Sequence, residues 1–126
     1  MPQITLEYTS NINDVEDFKP VVINIHKIIE SQCNVNINNC KTRINCIENF
    51  VIGTGNPTRK FMHLEVKLFE GRSDDIISSL GELLINDLSN YESIAQKNFD
   101  LALTVHILGI DRAKYFKYVH KTQKKE

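Results

Sequence analysis

Pro2 follows Met1 directly, and the strand-like run Ile4-Thr5-Leu6-Glu7-Tyr8 begins two residues later. Removal of Met1 would expose a secondary amine on the first residue of a strand. An α-amino group titrates at about 7.7–8.0, so such an amine can take up and release a proton near neutral pH. A proline inside a chain has no basic nitrogen at all, and neither has Pro2 while Met1 is retained. Pro is also ordinary at a second position, so the pair needs support from the other residues.

The groups that could support it are cations. Arg72 stands between a strand end and the helix start Ser73-Asp74-Asp75, where free backbone N–H groups and the helix dipole favour an anion. A guanidinium there suits a carboxylate or a phosphate. Pairing with Asp74 or Asp75, or simple solvation, is the plainer alternative. Lys41 and Arg43 lie two apart at the start of another strand, hence on one face. They suit a second carboxylate, or else they protect an exposed strand edge. Burial and nearby positive charge both favour a neutral amine. Cations that bind an anionic substrate would therefore also keep a Pro2 amine unprotonated and ready as a general base.

His63 shares a strand face with Phe61 and Glu65, and His106 shares one with Thr104 and Leu108; a hydrogen-bonded structural role is the simpler account of both. His26 and His120 fall on expected surface positions of helices. Cys33, Cys40 and Cys46 have no histidine partner in sequence and form no CxxC pair. They read as reduced structural thiols, and no metal site is expected.

These side chains must be carried by a chain of 126 residues with a formal net charge of −1. That length fits one domain with a real core, taken as residues 1–126. Balanced charge gives no case for nucleic acid or membrane partners, and no apolar run reaches a membrane span. With no signal peptide, a cytoplasmic location is expected. Basic residues thicken toward the end, at Arg112, Lys114, Lys117, Lys121, Lys124 and Lys125. They read as a solvated helix and a frayed tail over about 118–126.

The first strand spans roughly Gln3 to Thr9. Asn13 or Asp14 can cap a helix carrying Val15, Phe18, Val22, Ile25 and Ile29 to about Ser31. Pro20 requires that helix to start later or to kink. Asn34 to Asn39 reads as loop, and Lys41 to Ile52 as strand. Gly53 to Pro57 supplies a turn, and Arg59 to Phe69 is the next strand. A second amphipathic helix begins after Ser73, carries Ile76, Ile77, Leu80, Leu83, Leu84 and Leu88, and runs to about Tyr91. The last strand, Leu101 to Leu108, precedes a short helix through Phe116 and Val119.

Two strand–helix–strand units imply parallel neighbours within each unit. The expected fold is α+β, a two-layer sandwich: a four-stranded mixed sheet with both helices on one face. Runs such as Phe61-Met62-His63-Leu64 and Leu101-Ala102-Leu103-Thr104-Val105 show little polar alternation. The uncovered face is therefore expected to be apolar and to require an oligomeric partner.

The chain resembles the 5-carboxymethyl-2-hydroxymuconate Δ-isomerase family of the tautomerase superfamily. The resemblance rests on Pro2, Glu7, Asn11-Ile12, Arg43, His63 within Phe61-Met62-His63-Leu64, Lys67, Gly71-Arg72-Ser73, Gly81-Glu82 and Leu101-Ala102-Leu103. Spacing from Pro2 to Ser73 needs no gaps, and the likeness extends to about Leu108. It implies a tautomerase-like homotrimer whose sheets form the central contact surface. It also implies ketonisation of a 2-hydroxydienoate in homoprotocatechuate catabolism, with Pro2 as the proton-transfer residue and no cofactor or metal. Arg72 would bind a substrate carboxylate, with Arg43, Lys41 and His63 as further binding residues. Lys41 replaces an expected Arg and loses its bidentate fork, while Glu65 sets a negative charge beside His63. These departures leave open a tautomerase with another enol substrate, or a non-catalytic trimeric module if Met1 stays.

Overall fold

The computed structural model describes residues 1–13, 15–91, 94 and 100–122. The order is β1 (Gln3–Thr9), α1 (Lys19–Cys33), β2 (Lys41–Ile47), β3 (Lys60–Phe69), α2 (Asp74–Ser89) and β4 (Leu101–Ile110), with 3-10 turns at Ile37–Asn39 and Arg112–Lys114. The strands form one sheet in the order β2-β1-β3-β4. β1 pairs parallel with β2 and antiparallel with β3, and β3 pairs parallel with β4. Each helix thus connects two parallel neighbours, and the two-layer α+β arrangement expected from the element order is the one observed.

Strand alternation supplies the core. Ile4 and Leu6 of β1 and Met62, Leu64, Val66 and Leu68 of β3 point to one side and are essentially fully buried. Against them pack Val22, Ile25 and Ile29 of α1 and Leu80, Leu84 and Leu88 of α2. The i, i+4 spacing of each helical set places it on one stripe. Each such side chain contributes roughly 1.5–3 kcal/mol on burial. β1 and β3 are central and carry most of the sheet's share, whereas β2 is an edge strand with largely exposed side chains.

Local chemistry moves several boundaries. α1 starts at Lys19 rather than near Asn13, because Pro20 is tolerated only in the first turn and Asp17 Oδ1 accepts from Lys19 N at 2.9 Å. Phe18 lies before the helix and stacks on Tyr8, ring centroids 4.3 Å apart. Asp14, the other cap expected, lies outside the described residues. α2 starts as expected, with Ser73 Oγ accepting from Ile76 N at 3.3 Å, and ends at Ser89. Its Ile76 and Leu83 are about two-fifths exposed, on the edge of the stripe. β2 stops at Ile47, since the chain then leaves β1, whose Thr9 is the last residue paired.

Two further expectations are corrected. β4 runs on through Gly109 to Ile110, and beyond the Arg112–Lys114 turn residues 115–122 form no helix. Phe116, Tyr118 and Val119 are exposed, so they lack the buried stripe a terminal helix would need. Lys124 and Lys125 lie outside the described residues. The uncovered sheet face is also mixed rather than uniformly apolar. By parity it carries Lys41, Arg43, Gln3, Thr5, Glu7, His63, Glu65, Lys67, Thr104 and His106 in its middle, and Phe61, Phe69, Ala102, Leu108 and Ile110 toward the ends of β3 and β4. The middles of the strands alternate, so most of their apolar residues lie under the helices. No helix of the described residues is long and apolar enough to cross a membrane.

Candidate active site

The ladder registers bring four chain segments to one end of the sheet. Gln3 opposes both Lys41 of β2 and Lys67 of β3, and Lys67 opposes Leu108 of β4. The start of β1, the start of β2 and the ends of β3 and β4 therefore meet. Pro2, Lys41, Arg43, Lys67 and Arg72 all lie at that end, although 70 positions separate Pro2 from Arg72.

Pro2 is buried, and its carbonyl accepts from Lys41 N at 3.3 Å. Met1 lies over it and is only 9% exposed. The Met1 amine is held below its ordinary value, first by burial and then by the positive charges of Lys117 and Lys41, with Cys40 acting weakly the other way. Lys117 comes from the segment after β4, and nothing in its sequence surroundings marked it as a neighbour of the N-terminus. Cys40 feels both that amine and Cys33, and Cys33 feels Arg72. Burial pushes both thiols upward, so they remain protonated at neutral pH. They are packing groups rather than nucleophiles, which agrees with their reading in sequence.

Arg72 pairs with neither Asp74 nor Asp75. Its Nη1 donates to Phe69 O at 3.0 Å and its Nη2 to Cys33 O at 3.2 Å. Phe69 ends β3 and Cys33 ends α1, so the guanidinium joins a strand end to the carbonyl end of a helix, where a cation is favoured. Gly71, at φ +116°, turns the chain between Phe69 and this position. A guanidinium has five N–H donors; the described residues engage two, which leaves three for an anion. Arg72 also lines a half-open cleft of about 200 Å³ with Leu68, Phe69, Ile77 and Ile107.

Arg43 lies on the other side of the sheet. It donates to Gln3 Oε1 and lines a cleft of about 340 Å³ with Gln3, Thr5, Lys67, Ile110 and Tyr115. Tyr115 accepts from Gln3 Nε2 at 3.0 Å and stacks edge-on against Phe69, over which Arg112 also lies at 4.2 Å. The segment after β4 thus folds back over this end of the sheet. Two clefts with cationic linings result, one holding Arg72 on the helix side and one holding Arg43 and Lys67 on the open face.

His63 is not brought there within one chain. It opposes Glu7, four residues along β3 from Lys67, or roughly 13 Å at about 3.3 Å per residue. Its Nδ1 lies 2.5 Å from Thr104 Oγ1. His26, expected at the surface, is half-buried, bonded to Thr42 Oγ1 at 2.6 Å, and its pKa is lowered by burial.

The model of the family described as 5-carboxymethyl-2-hydroxymuconate isomerase matches residues 2–122. No curated protein matches the chain in sequence. The fold is similar to that of a 5-carboxymethyl-2-hydroxymuconate isomerase from Deinococcus radiodurans R1, at 18% identity and a TM-score of 0.77, covering 94% of this chain and 90% of that one. A 5-carboxymethyl-2-hydroxymuconate delta-isomerase is similar at 15% identity and a TM-score of 0.71, covering 98% and 96%. A fused 4-OT wild-type symmetric trimer is similar at 14% identity and a TM-score of 0.69, covering 86% and 87%.

Proposed function

Because the chain belongs to the 5-carboxymethyl-2-hydroxymuconate isomerase family, we propose that it ketonises an enolic, unsaturated di- or tricarboxylate through the amine of Pro2. Loss of Met1 turns the Pro2 nitrogen into a secondary amine. It also removes a nearly buried methionine side chain from that end of the sheet. A dienol entering there gives its hydroxyl proton to the amine. The protonated amine then returns a proton to the distal carbon, and the double bonds shift to leave the conjugated ketone. No net oxidation occurs, so proton transfer is the whole of the chemistry.

The observation that carries this reading is the burial of Met1 and Pro2 at the sheet end where Lys41 and Lys117 act on the N-terminal amine. The same burial and the same Lys41 and Lys117 charges would hold a Pro2 amine neutral at neutral pH. Arg72 takes one carboxylate with its remaining donors, and Lys41 faces the reacting end. Arg43 and Lys67 supply a second anionic position on the opposite sheet face. His63 is left out of this assignment. The active form is a homotrimer with the sheets turned inward, in line with the symmetric trimer among the similar structures. That face offers hydrogen-bonding and charged groups in its middle and apolar ones toward the ends of β3 and β4.

The test combines the intact mass of the protein from its own cell with ketonisation rates on enols bearing one, two and three carboxylates. Loss of the Met1 mass together with a preference for two or three carboxylates is expected. Undiminished activity in Pro2→Ala sinks the mechanism. A preference for monocarboxylate enols moves the protein to a different tautomerase substrate. Full retention of Met1 leaves a trimeric binding module.

A further inference from the structure

Away from the Pro2 end, the polar sheet face gathers two imidazoles and a carboxylate. His63 and Glu65 stand two apart on β3 and so point the same way, and His106 of β4 is the register partner of Glu65. One donor atom from each of the three lies within 4.8 Å of the other two. Sequence spacing hides this grouping, because His106 is far from the other two along the chain and only the parallel β3–β4 register joins them.

We propose that His63, Glu65 and His106 form a site for a divalent transition-metal ion of the zinc class. Imidazole and carboxylate are the donors that such ions take, at about 2.0–2.2 Å. Tetrahedral geometry at those lengths sets donors about 3.4 Å apart. Rotation of the three side chains about their own bonds closes the remaining gap, since the backbone already holds them on adjacent ladder positions. Three protein ligands leave one position for water.

The surroundings favour occupancy. Thr104 Oγ1 lies 2.5 Å from His63 Nδ1. With that hydroxyl accepting from Nδ1–H, the lone pair is fixed on Nε2, the arrangement that orients a ligating histidine. Glu7 is the register neighbour of His63 on the β1 side and adds negative charge to the same face. Lys67 opposes the ion, but its 3.5 Å pair with Glu65 is half-exposed, and such pairs are worth little. An ion here would tie the central strand β3 to the edge strand β4.

The experiment titrates Zn(II) into the chelator-treated full chain carrying Cys46→Ser, because Cys46 is an exposed free thiol that could bind zinc by itself. One ion per chain with a micromolar Kd is expected, together with a rise in Tm. His106 is exposed in the single chain but lies on the face the proposed homotrimer turns inward. His106→Ala should weaken binding at least 30-fold, and Thr104→Val about 10-fold, with the oligomeric state of each variant unchanged by sedimentation. Co(II) should give visible bands of a nitrogen–oxygen site without thiolate charge transfer, and Mg(II) should not compete. Absence of saturable Zn(II) binding overturns the proposal. So does binding that is equal in the His106→Ala variant, whose fold is checked by its circular dichroism.

Discussion

Arg72 offers the sharpest separation of structure from chemistry. In Arg72→Ala, two charge-assisted hydrogen bonds are lost, to Phe69 O at 3.0 Å and to Cys33 O at 3.2 Å. Bonds of this type are worth up to about 1.5–3 kcal/mol each, but the side chain is only half-buried and water can replace it at both carbonyls. About 1 kcal/mol per bond is the appropriate discount, with the helix-end charge adding ~0.3–1 kcal/mol. The expected loss is about 2–3 kcal/mol, which for a chain of this size lowers Tm by roughly 6–12 °C. Arg72→Lys keeps the charge but cannot span both carbonyls with one ammonium, so it should lose about half as much. Both variants are compared by thermal unfolding at one fixed protein concentration, because oligomers unfold in a concentration-dependent way. Activity should follow a different scale. Loss of the substrate carboxylate's partner at about 3 kcal/mol is roughly 100-fold in kcat/KM, partly restored by Lys. An Arg72→Ala protein whose Tm lies within a degree of wild type refutes the strand–helix role. Equal kcat/KM on a dicarboxylate enol refutes the anion-binding role, whatever the Tm.

Three other outcomes are expected. Lys117→Ala removes a charge that lowers the N-terminal amine, so the acid limb of kcat/KM against pH should move to higher pH in protein lacking Met1; an unmoved limb rules out this field. Burial lowers the His26 pKa below its ordinary 6.5. The unfolded chain therefore binds the extra proton first, and stability should be lost as pH falls from 6.5 through the folded pKa. Tm measured over that window should flatten in His26→Gln, and an unchanged slope refutes the assignment. Gly71→Ala places a β-carbon at φ +116°, which should cost about 1–3 kcal/mol, read as a lower denaturation midpoint; a neutral result shows that the turn relaxes.

The fold was legible because its signals are local. The i, i+4 stripe Leu80-Leu84-Leu88, the Ser73 cap and the order of two strand–helix–strand units depend on neighbours within a few turns. Pro20 allows a late start or a kink, and the structure takes the late start. The sheet face was misread for a physical reason. Apolar residues on β3 and β4 are plain in the sequence, but alternation puts Met62, Leu64, Val66, Leu103, Val105 and Ile107 under the helices and leaves only those near the strand ends on the open face. The terminal helix failed because Phe116 and Val119 have no surface to bury against, which no local pattern could reveal.

The sequence alone determined that Pro2 heads a strand, that Arg72 sits between a strand end and a capped helix, and that two similar units share one sheet. It also carried enough of the family's pattern to indicate what such residues do together. Only the tertiary structure decided their company. Register places Lys41 and Lys117 about the N-terminus, turns Arg72 onto two backbone carbonyls, and leaves His63 beside His106 rather than beside Pro2. Spacing along a chain fixes which side of a strand or helix a residue takes. Which strand lies next, and how far it slides, is settled by hydrogen-bonded ladders between segments tens of residues apart.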